Sequence, residues 1–154
     1  MSVLRSILQR NEIAFIYRIG YLFNQFSGPV YKRTEDELGI QRPQFATLFC
    51  VAHLPGLSAS DIVLLTGTPK NSVSRAVSML RHEGMIRSVA DPGDGRRAAL
   101  HLTAKGRRVY AQILPLFQER QAKLLQVLTP SEQRTFDALL TKLVDRDDGW
   151  AQAL

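Results

Sequence analysis

The stretch Gly84-Met85-Ile86-Arg87-Ser88-Val89-Ala90-Asp91-Pro92-Gly93-Asp94-Gly95-Arg96-Arg97-Ala98-Ala99-Leu100-His101-Leu102-Thr103-Ala104-Lys105-Gly106 decides how the chain is read. Met85 to Ala90 and Ala98 to Leu102 are short runs of strand character. In the second, Ala98, Leu100 and Leu102 alternate with Ala99 and His101, the period of two that marks a half-buried strand. Between them, Asp91 to Arg97 form a hairpin loop in which Gly93 and Gly95 permit tight backbone turns and keep the tip slim. Two arginines end that loop. The spacing predicts a narrow cationic ribbon, followed by a helix capped by Thr103.

Upstream of the ribbon lie two closely spaced helices. Thr68-Pro69 opens one of them, with Thr68 as cap and Pro69 at the first helical position, where a missing N–H costs nothing. It runs to about Glu83, turns Val73, Ala76, Val77 and Leu80 inward, and is closed by Gly84. Before it, the Ser58/Asp61 capping pair starts a short helix over Ala59 to about Leu65, ended by Thr66-Gly67. Two helices joined by so short a glycine-containing turn are a helix-turn-helix signature. Further back, Gln41-Arg42-Pro43 opens a helix to about His53, broken by Pro55-Gly56. A first helix is expected over Leu4 to Phe26, with Leu4, Leu8, Phe15, Ile19, Leu22 and Phe26 at helical spacing. Ile13, Ile16, Tyr17 and Phe23 widen its apolar surface, so it needs partners on two sides. Gly28-Pro29 is expected to stop it and Lys32 to Glu37 to form a polar connection.

Downstream, the helix capped by Thr103 carries Val109, Ile113, Leu116, Phe117, Leu124, Val127 and Leu128 on its apolar side, with a kink expected at Pro115. Thr129-Pro130-Ser131-Glu132 is a capping box that opens a last helix with Phe136, Leu139, Leu140, Leu143 and Val144 on its buried face. Residues Asp145 to Leu154 lose periodicity and are expected to fray.

The chain has 154 residues, 45% hydrophobic and 22% charged, as in globular proteins with a real core. Its longest apolar runs, Ile13 to Tyr17 and Leu48 to Ala52, fall far short of the roughly 20 residues that cross a bilayer. Glu12 and Arg18 interrupt the N-terminal apolar stretch, which does not read as a signal peptide. The single Cys50 excludes an internal disulfide framework and points to a reducing, cytoplasmic setting. The net charge of +6 is concentrated. Residues 66 to 110 hold nine bases (Lys70, Arg75, Arg81, Arg87, Arg96, Arg97, Lys105, Arg107 and Arg108) and three acids (Glu83, Asp91 and Asp94), whereas the rest of the chain balances at eleven of each sign. Such a footprint suits a polyanion.

With these motifs in order, the sequence resembles the MarR family of bacterial transcription regulators over nearly its whole length. The residues that carry the resemblance are Gly84-Met85-Ile86-Arg87, the loop Asp91-Pro92-Gly93-Asp94-Gly95-Arg96-Arg97, and Leu100-His101-Leu102-Thr103-Ala104-Lys105-Gly106. The fold class expected is mainly α with a small two-stranded β wing. The resemblance implies one domain over 1–154: dimerisation helices at 1–30 and 103–145, a winged helix-turn-helix lobe at 43–102, and a tail at 146–154. It also implies an obligate homodimer in which the first, fifth and sixth helices of both chains interlock.

A helix can enter the DNA major groove, where every base pair shows a distinct donor and acceptor pattern. The solvent face of the fourth helix offers Lys70, Asn71, Ser72, Ser74, Arg75, Ser78 and Arg81 as donors. Arg75 suits guanine O6 and N7, Asn71 suits adenine, and Ser72, Ser74 and Ser78 suit phosphates. The family pattern implies that Arg97 enters a minor groove, where narrow stretches concentrate negative potential. Asp91 and Asp94 then cap the loop or orient Arg96 and Arg97, with Arg96 the structural member of the pair. Dimer symmetry predicts inverted half-sites in double-stranded DNA about one helical turn, roughly 34 Å, apart.

Relatives commonly release DNA on binding a small molecule, often an aromatic acid. Tyr17, Arg18, Tyr21, Phe45 and Phe49 are candidates to line such a pocket, Arg18 receiving a carboxylate, although aromatic residues at these positions also suit a plain core. Apolar neighbours make Cys50 an inert buried thiol. His53, His82 and His101 lack metal-ligand spacing. No HExxH, GxSxG or GxxxxGK[ST] motif supports an enzyme, and no cofactor is expected. The alternatives are a DNA-binding regulator with no small-molecule ligand and a winged helix serving only as a protein-interaction module, the latter opposed by the basic face and both wing arginines.

Overall fold

The computed structural model describes residues 6–8, 10–90 and 98–146. In chain order its elements are α1 (Ala14–Leu38), α2 (Arg42–His53), α3 (Ala59–Thr66), α4 (Lys70–His82), β1 (Ile86–Ala90), β2 (Ala98–Leu102), α5 (Ala104–Leu125) and α6 (Pro130–Val144). They fall into two compact units, residues 1–118 and 119–154, with α5 running from the first into the second. The mainly helical architecture with one two-stranded antiparallel wing is the one expected from the sequence.

The first helix differs most from expectation. Asn11 interrupts it after the helical residues 6–8: its side-chain carbonyl accepts from the Ile13 N–H at 2.9 Å and its amide donates to the Ile7 carbonyl, and the long helix starts at Ala14. At the other end Gly28-Pro29 does not stop α1, which continues to Leu38. Pro29 costs one backbone hydrogen bond, but the turns after it are held in other ways. Lys32–Asp36 and Arg33–Glu37 ion pairs at 2.9 and 2.8 Å follow i,i+4 helical spacing. Val30 and Thr34 are buried on the opposite side, and the Thr34 hydroxyl bonds to the Tyr31 and Ile40 carbonyls. The polar stretch 32–37 is therefore the solvent face of a helix. Gly39, at φ 66°, ends it in the left-handed conformation.

The first unit's core gathers α2, α3, α4, the wing and the start of α5. Ile40, Leu48, Val51, Ile62, Val73, Leu80, Leu100 and Ile113 are almost completely buried. The Ser58/Asp61 capping box and the left-handed Gly67 bound α3 as expected. In α4 the cap shifts by one residue. Pro69 holds the cap position without a side-chain bond, and its carbonyl accepts from Ser72 and Val73. Thr68 instead donates its N–H to the Thr66 hydroxyl at 3.2 Å, because the turn rather than the helix needs that bond. Val73, Ala76 and Leu80 point inward, with Val77 at the core's margin.

The wing pairs Ile86 with Leu102, Ser88 with Leu100 and Ala90 with Ala98. Its second strand is also bonded on the other side, where Leu100 donates to Leu57 and Gly56 donates to Leu100, both at 2.9 Å. Gly56, at φ +96°, makes that approach possible. Thr103 fixes the hairpin's root. Its hydroxyl bonds to the Gly84 and Met85 carbonyls at 2.7 and 3.1 Å and accepts from Gly106 N–H at 3.1 Å, capping α5.

In the second unit α5 ends at Leu125, so Val127 and Leu128 lie beyond it rather than on its apolar side. The Thr129/Glu132 capping box starts α6 as expected. The face expected to be buried is not: Phe136, Leu139, Leu140, Leu143 and Val144 are all exposed in the single chain. Phe15, Ile16, Ile19 and Leu22 of α1 are exposed too. Periodicity reports that a face seeks cover but is silent about which chain supplies it, and an exposed apolar row on either helix marks an interaction surface.

The junction of wing and α5 makes a paired prediction. A Cβ at Gly106 would lie 2.0 Å from the Met85 carbonyl oxygen, whereas one at Gly28 meets nothing within 4 Å. Gly106→Ala is expected to destabilise the protein by about 1–3 kcal/mol through overpacking against backbone. Gly28→Ala, in mid-helix, is expected to change stability by less than about 1 kcal/mol, because the gain in helix propensity is offset by crowding of the new Cβ against the Pro29 ring. Denaturant melts of both variants test this, and an unperturbed Gly106→Ala would show that the junction has slack.

Candidate functional site

The face of α4 forms because its buried positions recur at Val73, Ala76 and Leu80, which leaves the intervening donors outside. Lys70, Asn71, Ser74, Arg75, Ser78 and Arg81 are exposed and Ser72 is half-buried. Asn71, Ser74, Arg75 and Ser78 follow i, i+3, i+4, i+7 spacing and so share one stripe. Beside that stripe a groove of about 280 Å³ runs to the start of α2, lined by Gln41, Pro43, Gln44, Ser72, Arg75 and Met79 among others. Gln44 is buried there and its side chain accepts from the Gln41 N–H at 2.8 Å, which completes the cap of α2.

Asp91, Asp94, Arg96 and Arg97, the expected wing residues, lie outside the described residues. The strands that carry their loop are described up to its ends, with Ala90 opposite Ala98. The start of α5, just after the hairpin, is tied to the C-terminal end of α4 by Lys105, whose ammonium donates to the Glu83 carbonyl at 2.7 Å and sits 3.7 Å from the Glu83 carboxylate. In the sequence Lys105 counts only as a charge. Its positional role follows from the tight Gly84 turn, which brings residues 83 and 105 together.

A second feature is an apolar pocket of about 450 Å³ lined by α1, α2 and α3, including Phe23, Tyr31, Phe45, Phe49, Cys50 and His53. Phe45 stacks on Phe117 with ring centroids 4.5 Å apart, Tyr31 meets Phe117 edge-on at 5.5 Å, and Phe49 lies 4.5 Å from the His53 ring. Phe45 and Phe49 were expected here. Tyr17, Arg18 and Tyr21 are not among the lining residues, and the Arg18 guanidinium donates to the Ala14 carbonyl at 3.1 Å.

Arg42, not itself a lining residue, sets a cation against two of the rings that line the pocket. Its guanidinium carbon lies 5.0 Å from the centre of the Phe23 ring and 5.7 Å from that of Tyr31, within cation–π range. Tyr31 escapes the sequence pattern because residues 28–37 read as a connection, and Arg42 because it reads as a helix opener. Burial pushes the phenols of Tyr31 and Tyr110 up from their ordinary value, so both stay protonated donors, Tyr31 despite the opposing pull of Arg42. The Tyr110 hydroxyl lies 3.0 Å from His53 Nε2. Among the described residues no group of three or more His, Cys, Asp or Glu could hold a metal ion, and no helix is long and apolar enough to cross a membrane.

Comparison with known proteins places this geometry. Residues 38–97 match the model of the MarR family. An HTH-type transcriptional repressor of Mycobacterium tuberculosis is 26% identical over 128 residues, 83% of this chain and 89% of that protein. Two solved structures share the fold. The PcaV transcriptional regulator of Streptomyces coelicolor, in complex with its natural ligand, is 24% identical with a TM-score of 0.70, covering 92% of this chain and 96% of its own. A MarR-family regulator of Listeria monocytogenes complexed with a 26mer DNA is 21% identical with a TM-score of 0.79, covering 85% and 87%.

Cys50 lines the aromatic pocket but is only 8% exposed, and burial pushes its thiol up from the ordinary value. The folded protein is therefore expected to react with iodoacetamide at pH 8 at least about tenfold more slowly than the guanidinium-unfolded chain, because the thiolate is the nucleophile. Equal rates in the two states would contradict the burial.

Proposed function

We propose that this chain, whose residues 38–97 match the model of the MarR family, works as a homodimeric repressor of that type, which binds inverted half-sites in double-stranded DNA and lets go when a small aromatic acid fills the pocket between α1 and α2. The observation that carries the reading is the single exposed stripe of donors on α4, set beside a hairpin whose loop contains Arg96 and Arg97. In that arrangement α4 lies in the major groove. Arg75 pairs with guanine and Asn71 with adenine, while Lys70, Ser72, Ser74, Ser78 and Arg81 hold the phosphates on either side. Arg97 reaches the neighbouring minor groove, with Arg96, Asp91 and Asp94 bracing the loop.

Dimerisation supplies the second half-site. The exposed apolar rows of α1 and α6 are the surfaces that pair, in keeping with dimerisation helices at 1–30 and 103–145 around a DNA-binding lobe at 43–102. A dimer seated on a promoter blocks polymerase, and the M. tuberculosis relative is named a repressor. The pocket of Phe23, Tyr31, Phe45 and Phe49 suits an aromatic ring, and Arg42 at the Phe23 and Tyr31 rings suits its carboxylate. The ligand need only favour a dimer whose two α4 helices are wrongly spaced for successive major grooves.

Fluorescence anisotropy with duplex from upstream of the protein's own gene tests the DNA reading. If the dimer neutralises roughly 6 to 10 phosphates, affinity falls by about 10³ to 10⁵ between 50 and 200 mM salt. Arg75→Ala is expected to cost about 1–3 kcal/mol and to relax base preference at one position in each half-site. Arg97→Ala is expected to weaken binding without loss of the dimer. A shallow salt dependence with wild-type affinity in both variants would contradict the assignment. For the pocket, benzoate is expected to release the duplex from the wild type but at least about tenfold less effectively from Arg42→Gln, a loss typical of a charge-assisted bond.

A further inference from the structure

A second cleft, of about 410 Å³, opens where the C-terminal end of α2 meets the wing and α5. Its polar lining is Arg87, His101, Arg107 and Tyr110, and the rest is apolar, including Val51 and Leu102. The fold brings these groups together in two steps. Arg87 and His101 sit directly opposite each other in the hairpin register, so their side chains leave the same face of the sheet. Arg107 and Tyr110 stand three residues apart on α5 and share one helical face. One arginine is held in place, because the Arg107 guanidinium donates to the Leu102 carbonyl at 3.0 Å. The Tyr110 hydroxyl is fixed by His53.

Among the described residues the cleft lacks a counter-charge. No aspartate or glutamate is in its lining, and none of the ion pairs among the described residues involves Arg87 or Arg107. Two guanidinium groups around one hollow repel one another unless an anion joins them, and a guanidinium fork matches the paired oxygens of a carboxylate or phosphate. The apolar part of the lining gives such an anion's carbon body a surface to cover. DNA backbone alone has no use for that apolar floor.

We propose that this cleft binds a small organic oxyanion, with a carboxylate or phosphate monoester between Arg87 and Arg107 and an apolar body against Val51 and Leu102. The site shares no lining residue with the aromatic pocket. The two are nevertheless joined through one hydrogen bond, since Tyr110 lines the cleft and its partner His53 lines the pocket.

Isothermal titration of the full chain with phthalate, phenyl phosphate and inorganic phosphate tests the proposal without DNA, so its outcome is separate from that of the repressor reading. At least one organic probe is expected to bind at one site per chain that Arg42→Gln leaves intact, apart from any binding in the aromatic pocket. Its affinity is expected to fall at least about tenfold in Arg87→Gln and in Arg107→Gln, as for loss of one charge-assisted bond. Arg33→Gln, which removes an exposed cation of α1, is expected to bind as the wild type does. Tighter binding of phthalate assigns a carboxylate, and tighter binding of phenyl phosphate a phosphate monoester. Arg87 makes no structural bond comparable to that of Arg107, so its variant keeps the test decisive if Arg107→Gln unfolds. The proposal is overturned if neither organic probe binds, if both variants bind as the wild type does, or if inorganic phosphate binds as tightly as phenyl phosphate. It is also overturned if Arg87→Gln weakens binding to duplex DNA while leaving the organic anions untouched, which would assign the arginine to the phosphate backbone.

Discussion

The threonine hydroxyl at position 103 holds the architecture at its narrowest point. It reaches back to the Gly84 and Met85 carbonyls and caps α5 through Gly106, so one side chain joins the end of α4, the root of the wing and the start of the longest C-terminal helix. Met85 closes the arrangement by accepting from the Thr103 N–H at 3.0 Å and donating to the Leu80 carbonyl at 2.8 Å. Gly106 has no Cβ because the Met85 carbonyl occupies the space. These short contacts set the direction in which α4 and the hairpin project relative to each other. On the proposed reading the two elements enter neighbouring grooves of a duplex and need that direction fixed, since a protein's register on DNA comes from many simultaneous contacts.

Around that junction the chain divides its work by burial. The helix-turn-helix and wing surround a well-packed core of Leu48, Ile62, Val73, Leu80 and Leu100, whereas α1 and α6 show apolar rows to solvent. Phe15 is 65% exposed and Leu139 56%, which a lone protomer in water would not sustain without cost. The core residues stabilise the lobe from within. The apolar rows require a partner from outside, and on the proposed reading that partner is another copy of the same chain. The aromatic pocket lies where α1 meets α2, so a ligand there would touch both kinds of element.

Much of this was legible in the sequence because it is local. Ser58 with Asp61, Thr129 with Glu132, Gly67 and Gly84 set helix ends through bonds between residues a few positions apart, and such bonds survive any tertiary context. The α4 stripe was legible for the same reason, as its inward positions repeat strictly. What failed was decided at longer range or by compensation. Gly28-Pro29 reads as a stop, yet two ion pairs and the buried Thr34 carry the helix through it. Arg18 and Tyr21 belong to the right helix for a pocket, but the rings that meet α2 are one to three turns further on, at Phe23 and Tyr31. No pattern in one segment reports that Arg42 of another will sit over those rings. The cationic cleft was equally hidden, since it needs the hairpin register and the α5 face at once.

The central claim is that two copies of α4 and its wing engage one face of a duplex together. Footprinting of the wild-type protein on DNA from upstream of its own gene, with dimethyl sulfate for guanine N7 in the major groove and hydroxyl radical for the minor-groove sugars, tests this most directly. The account predicts two protected major-groove segments whose centres lie about one helical turn, roughly 10 base pairs, apart and are related by inverted symmetry, each flanked by minor-groove protection. A single unsymmetrical patch, or uniform protection without preferred position, would contradict it.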